Sequence, residues 1–251
     1  MTLSVQGVSL SFGAVQALRE VSFEVPQGAI CGVIGPNGAG KSSLLNVLSG
    51  VYRADDGVIR VDGETLPPGN PHAAARLGIA RTFQNIALFK GMSVLDNVLT
   101  GRAPFARASL LEQALRLGRA PREEQEQRER AERVLELLEL QRHRHTPVGG
   151  LPYGLQKRVE LARALVAEPR ILLLDEPMAG MTAGEKHAMS DFLLRARHEA
   201  TLLLIEHDMG VVMELSDQVL VLDYGRQITV DAPAVVQRDP RVIEAYLGVA
   251  S

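Results

Sequence analysis

The sequence is short of several things, and each shortage removes a class of protein. Cys31 is the only cysteine in 251 residues, so no disulfide framework can form and a reducing compartment fits. It lies in the apolar run AICGVIG, where a small buried hydrophobe is the expectation and a reactive thiol the alternative. A basic excess is also missing: 27 Lys and Arg stand against 30 Asp and Glu, a formal charge of −3, which argues against nucleic acid as a partner. No apolar run approaches the roughly eighteen residues of a membrane span. ILLL and TLLLI are short, bounded by charges, and suit buried strands. The opening MTLSVQGVSLSFG alternates like a strand and lacks a charged segment followed by an apolar block. The expectation is a cytoplasmic chain that meets a membrane only through a partner. With no tandem repeat or low-complexity linker, it reads as one large α/β domain carrying an inserted subdomain.

What is present falls into three stretches. LSVQGVSLSF, VSFEV, AICGVIG and VIRVDG read as strands separated by turn signals. From about Gln84 to Pro147 the texture turns helical. In EEQEQRERAERVLELLEL a glutamate precedes an arginine by four at Glu124–Arg128, Glu126–Arg130 and Glu129–Arg133, which predicts a solvated, internally paired helix face. From Leu172 strand and helix alternate again, through ILLLD, KHAMSDFLLRAR, TLLLIEHD and VLVLDYG. That alternation predicts a mostly parallel sheet covered on both faces. His143 and His145, in QRHRHTP, have no third ligand near them and read as an exposed loop.

Gly35, Pro36, Asn37, Gly38, Ala39, Gly40, Lys41 and Ser42 match the pattern G-x-x-x-x-G-K-[ST], with a strand running in and the helix SSLLNVL, led by Ser43, running out. Glycines let backbone N–H groups curl around a phosphate, and the helix points its positive end at it. Lys41 is placed to reach the β- and γ-phosphates, and the Ser42 hydroxyl to ligate Mg²⁺. Nucleotide binding follows, but this loop alone does not separate kinases, GTPases and motor ATPases.

The apolar strand ILLLD, followed by Glu176 and Pro177, narrows the field. A buried strand delivers an acid rigidly, so Asp175 can hold Mg²⁺ through its water shell while Glu176 polarises an attacking water. A kinase needs an acceptor site here instead, and the Asn-Lys-x-Asp guanine reader of a GTPase is absent. A third strand, TLLLI, leads to His207. Alone, a histidine there reads as structural. Beside the other two strand ends it becomes a candidate to touch the γ-phosphate and align the water.

Together these residues resemble the ATP-binding cassette ATPases of membrane transporters, over nearly the whole chain and in the family's order. The resemblance implies a P-loop NTPase cassette. Its core spans about 1–84 and 168–230, with a mostly parallel central sheet and an N-terminal antiparallel β region. A helical subdomain is inserted at about 85–167, and a tail runs over about 231–251. It implies that Phe12 stacks on adenine, the alternative being a core phenylalanine at a strand end. Gln84, in RTFQN, matches the glutamine that joins the Mg²⁺ site to the helical subdomain. Leu151, Pro152, Tyr153, Gly154 and Leu155 stand where the family carries Leu-Ser-Gly-Gly-Gln, the signature that closes over the ATP of a second, head-to-tail cassette.

Here the chain departs from the pattern. Pro152 replaces the signature serine, Tyr153 the first glycine and Leu155 the glutamine, and Met178 to Thr182 lack the usual loop aspartate. Losing a hydrogen bond to a charged phosphate costs about 1.5–3 kcal/mol, so a weakened clamp is expected, acting on the opposite subunit's ATP. The departures, with ARTFQNIALFKGMSVLDNV, DEPMAGM, IEHDM, VLDYG and the ending DPRVIEAYLG, resemble the longer ATPase of branched-chain amino-acid importers. Those importers pair two unlike ATPases with transmembrane permease subunits and a periplasmic binding protein. The resemblance therefore implies ATP hydrolysis coupled to import, at the inner face of the cell membrane. Phe89, Lys90 and Met92 are candidates to grip a permease loop, with plain packing the alternative for Phe89 and Met92. Importers of urea, amides or aromatic acids and a lipopolysaccharide-type exporter stay open as alternatives, with a non-transport cassette protein further off.

Overall fold

The computed structural model describes residues 3–82, 86–105, 112 and 118–247. By backbone proximity the chain divides into two units, one of Met1–Gln84, Arg170–Ala179 and Ala196–Ser251, the other of Asn85–Pro169 and Gly180–Arg195.

The first unit is built on a ten-stranded sheet. Alternation in the N-terminal stretch yields β1 (Leu3–Phe12) and β2 (Val15–Val25), which pair antiparallel, with β4 (Asp56–Val61) antiparallel on the far side of β1 and β5 (Glu64–Thr65) at the edge. The all-apolar strands take the centre, because only a strand covered on both faces accepts an unbroken apolar run. These are β3 (Ile30–Ile34), β7 (Ile171–Asp175) and β8 (Thr201–Ile205), every residue of which is buried. They run parallel with β6 (Ile79–Arg81) and β9 (Gln218–Asp223), in the spatial order β9, β3, β8, β7, β6. β10 (Arg226–Asp231) folds back antiparallel on β9 and touches β2, joining the two halves into one sheet.

Helix α1 (Lys41–Leu48) packs Leu44, Leu45 and Leu48 into a core shared with Leu3, Leu18, Val33, Leu173, Leu203 and Leu220. Each such side chain contributes about 1.5–3 kcal/mol on burial. Parallel strands place their C-terminal ends on one edge, so Ile34, Asp175 and Ile205 open towards the same side, where ligands of open α/β sheets bind. Cys31 is fully buried in β3, and the apolar surroundings push its thiol up to about 11, the inert reading of that residue.

The second unit is helical. α2 (Pro71–Arg76) belongs to the first unit; here stand α3 (Val94–Thr100), α4 (Ala120–Leu137), α5 (Tyr153–Leu165) and α6 (Ala183–Ala196). The sequence expectation left α6 with the α/β part, whereas all but its last residue groups with the helices of this unit. It buries Met189, Phe192 and Leu193, and the Phe192 ring lies under the guanidinium groups of Arg158 and Arg195 at 4.7 and 4.8 Å. Helix α4 buries Ala131 and Leu135 at i, i+4 spacing, with Leu138 one turn further on. Its charged face does more than pair along itself. Arg122 and Glu126 form an i, i+4 pair at 3.1 Å, while Arg130 grips both oxygens of Glu168 at 3.0 and 3.1 Å, and Arg133 reaches the same carboxylate at 3.7 Å. Glu168 sits beyond α5, so these charges tie α4 to its neighbour.

Candidate nucleotide and catalytic site

The loop from Gly35 to Gly40 takes its shape from three glycines in the left-handed region, with φ of 152°, 81° and 103° at Gly35, Gly38 and Gly40. Two of them also leave no room for a side chain. A Cβ on Gly35 would come within 2.1 Å of the Leu222 carbonyl oxygen, and one on Gly40 within 2.5 Å of the Ala17 carbonyl oxygen. Gly38 has open space before it. The Gly40 carbonyl accepts the Leu44 N–H at 2.9 Å, so α1 starts here and its unshared N–H groups face the loop. Lys41 Nζ donates to the Gly35 and Pro36 carbonyls at 2.6 and 3.0 Å. Burial holds its amine below the ordinary lysine range, and the charge of Glu176 pulls it partly back.

In front of the loop lies a cavity of about 410 Å³, walled by the segment from Asn37 to Ser43, by Val15 and Gln16, and by Glu176, His207 and Tyr224. Glu176 follows β7 directly and adopts φ 49°, a left-handed conformation that costs a non-glycine residue about 1–3 kcal/mol and collects at functional sites. Its N–H donates to the Ile205 carbonyl at 3.0 Å, which fixes the turn against β8. The side chain leaves the sheet and meets His207, with Oε1 at 2.8 Å from Nε2. His207 is held from behind: buried Glu206 accepts the Met178 N–H at 2.7 Å, and the Asp208 side chain caps α7 (Met209–Leu215).

Asp175, the last residue of β7, is buried, with its side chain 8% exposed. Its Oδ2 accepts from Arg81 Nη2 at 2.9 Å. Hard oxygen donors from Ser42 and Asp175 suit Mg²⁺, which takes few protein ligands and keeps several waters. The N–H-lined loop with Lys41 suits a phosphate chain. The residues present fit both groups.

The structure therefore brings Asn37 to Ser43, Glu176 and His207 around one cavity, with Gly35 and Pro36 in the loop beneath Lys41. It does not bring Phe12 there. That ring is half exposed and packs edge-on against Tyr52 at 5.3 Å, outside the cavity wall. Gln84 lies outside the described residues. Sequence reasoning missed Tyr224, an exposed aromatic with φ 43° on the turn between β9 and β10. Its neighbour Gly225 donates to the Ala39 carbonyl and accepts from the Arg19 N–H, so the turn is laced to the phosphate loop. An aromatic before glycine in VLDYG was the available signal. Tyr246, near the C-terminus, was also missed: partial burial raises its phenol and contact with the Gly35 backbone pulls it back.

In the second unit, Pro152 caps α5 without a side-chain bond, and Gln156 ties back through Nε2 to the Leu151 carbonyl at 2.8 Å. Tyr153 is exposed and lies against Gly180. At Gly154 a Cβ would meet Glu185 Oε1 at 2.3 Å, so that carboxylate sits over the start of α5. Hydrogen bonds from Thr182 hold Glu185 below the usual carboxylate range, with Arg158 and the Gly154 backbone adding to the effect. Leu155 is partly buried. The loop with Phe89, Lys90 and Met92 is pinned by fully buried Asn97, whose Nδ2 donates to the Phe89, Met92 and Ser93 carbonyls while Oδ1 accepts the Phe89 N–H. Phe89 is left 56% exposed on a fixed platform.

Comparison with known proteins agrees with this geometry. Residues 18–179 match the ABC transporter family model, and residues 226–251 match that of the branched-chain amino acid ATP-binding cassette transporter. The chain is 38% identical over 250 residues to the high-affinity branched-chain amino acid transport ATP-binding protein BraF of Pseudomonas aeruginosa, covering 99% of this chain and 98% of that one. It is 37% identical over 250 residues to the corresponding protein LivG of Escherichia coli, with the same coverage. Among solved structures, a nucleotide-free ATP-binding cassette from an ABC transporter superposes with a TM-score of 0.85 at 33% identity, over 98% of this chain and 99% of that one. The ADP conformation of an ABC transporter cassette gives the same score and identity over 98% of each. The chain belongs to the ATP-binding cassette transporter family.

Proposed function

We propose that this chain hydrolyses ATP to power an importer of branched-chain or related amino acids. The observation that carries the reading is the 2.8 Å contact between Glu176 and His207 at the wall of the phosphate-loop cavity. It sets a carboxylate base beside the phosphate site with its orientation fixed, which is what water activation needs. The names of the relatives supply the transport role and the solute class.

In this reading the N–H groups of the loop and Lys41 hold the phosphates. Ser42, Asp175 and Gln84 would hold Mg²⁺, which would supply positive charge to the phosphate oxygens. Glu176 accepts the proton of the attacking water at one carboxylate oxygen, while His207 holds the other and faces the γ-phosphate. Tyr224, on the cavity wall, stands on the adenine side. The segment from Leu151 to Leu155 meets the ATP of an unlike second cassette, arranged head to tail. The helical subdomain, about 85–167, carries the Phe89 platform towards transmembrane permease subunits at the inner face of the membrane, and a periplasmic binding protein acts through them.

Uptake of labelled leucine, isoleucine and valine into proteoliposomes holding the permease, both ATPases and the binding protein tests this. Uptake that needs ATP and stops with Glu176→Gln is expected. ATP turnover stimulated by urea, short amides or aromatic acids and by none of the three amino acids would overturn the solute class.

A further inference from the structure

We propose that Arg81 is a positioning residue for the magnesium site, fastening the Asp175 carboxylate to the helix that carries Ser42. The proposal rests on the assignment of Ser42 and Asp175 to Mg²⁺ made above. Arg81 ends β6, beside β7, and its side chain forks. Nη2 donates to Asp175 Oδ2 at 2.9 Å, and Nη1 donates to Asn46 Oδ1 at 2.6 Å, with Ser49 Oγ at 3.4 Å. The two side chains of the ion pair are only 13% and 8% exposed.

Three points make this more than a surface salt bridge. Asn46 lies on α1 and Ser49 caps its end, and α1 is the helix whose first turn holds Lys41 and Ser42. One rigid guanidinium therefore links the helix bearing one metal-holding group to the strand bearing the other. A planar fork can do this where a lysine, with a single charged point, reaches only one side. The Arg81 bond engages Oδ2, which leaves Oδ1 for a metal-bound water. Finally, a carboxylate this buried is costly to leave without a cationic partner, and Arg81 supplies one. Partners that hold metal-binding carboxylates typically matter about 10–100-fold in metal affinity.

The test uses the full chain with Glu176→Gln, so that hydrolysis does not interfere, and a fluorescent ATP analogue titrated with Mg²⁺. Arg81→Met is expected to raise the Mg²⁺ half-saturation by about 10–100-fold while analogue affinity in EDTA stays close to that of the parent. Arg81→Lys should recover part of the loss. Asn46→Ala, which unfastens the other end of the fork, should give a smaller rise in the same direction. An unchanged half-saturation in Arg81→Met overturns the proposal, as does a lowered one, which would make Arg81 a competitor of the metal. Loss of analogue binding in EDTA by both Arg81 variants would assign Arg81 to packing and overturn it too. If the parent itself shows no Mg²⁺ dependence, the metal assignment fails first and the inference falls with it.

Discussion

Glu176 Oε1 and His207 Nε2 stand 2.8 Å apart, across the ends of two neighbouring parallel strands. Glu176 accepts a strained backbone to reach that position, whereas His207 is 55% exposed at its side chain. The histidine therefore contributes little to the core. His207→Ala should leave the thermal midpoint nearly unchanged and lower phosphate release by about 10²-fold or more, the scale of a lost positioning or acid–base contact. Phosphate release and thermal melting on the same preparation check this.

Two loop glycines separate strain from collision. Gly38→Ala adds a methyl into open space at φ 81°, so it bears only the left-handed penalty of about 1–2 kcal/mol. Gly40→Ala adds that strain to a 2.5 Å clash with the Ala17 carbonyl, a backbone atom that cannot turn aside. Denaturant melts should show the second clearly less stable than the first. Equal stabilities would contradict the loop geometry.

Cys31 should resist alkylation in the native protein at pH 8 and react fully in guanidinium. Its thiol is pushed from 9.0 to about 11 by burial. The folded state thus keeps its proton while the unfolded state loses one above pH 9. Its contribution to stability is intact below pH 9 and is lost as pH rises towards 11. Thermal midpoints should fall more steeply across that window in the native chain than in Cys31→Ala.

The variant segment from Leu151 to Leu155 predicts an unlike partner. Glu176→Gln with ATP and Mg²⁺ should run as a monomer in size exclusion with light scattering, and as a dimer when the second ATPase is added. A tight homodimer would show that Pro152 and Tyr153 clamp ATP unaided, and would favour the lipopolysaccharide-type alternative.

Sequence patterns revealed what depends on neighbours along the chain. The glycine spacing of the phosphate loop, the apolar strands and the acids at the end of ILLLD are local, and the structure sets those strands side by side within the sheet with their C-terminal ends on one side. What stayed hidden depends on residues far apart. Arg81 and Asp175 are separated by 94 positions, and nothing in either segment announces the other. Arg130 turns to Glu168, 38 residues on, because packing beside α5 offers a better-placed carboxylate than a helical i, i+4 rule can foresee. Glu185 sits over Gly154 only because α6 folds against α5. Phe12 illustrates the reverse: a residue matched by position, whose ring in this structure lies on Tyr52 instead of the cavity wall.

The most direct test of the account is single-turnover phosphate release from bound ATP by the native chain and by Glu176→Gln, each assembled with the second ATPase and shown to bind ATP equally. A fall of about 10²–10⁴-fold is expected in the variant, the contribution of a general base, with ATP retained. Equal rates at equal occupancy would contradict it, and would leave the Glu176–His207 pair without a catalytic role.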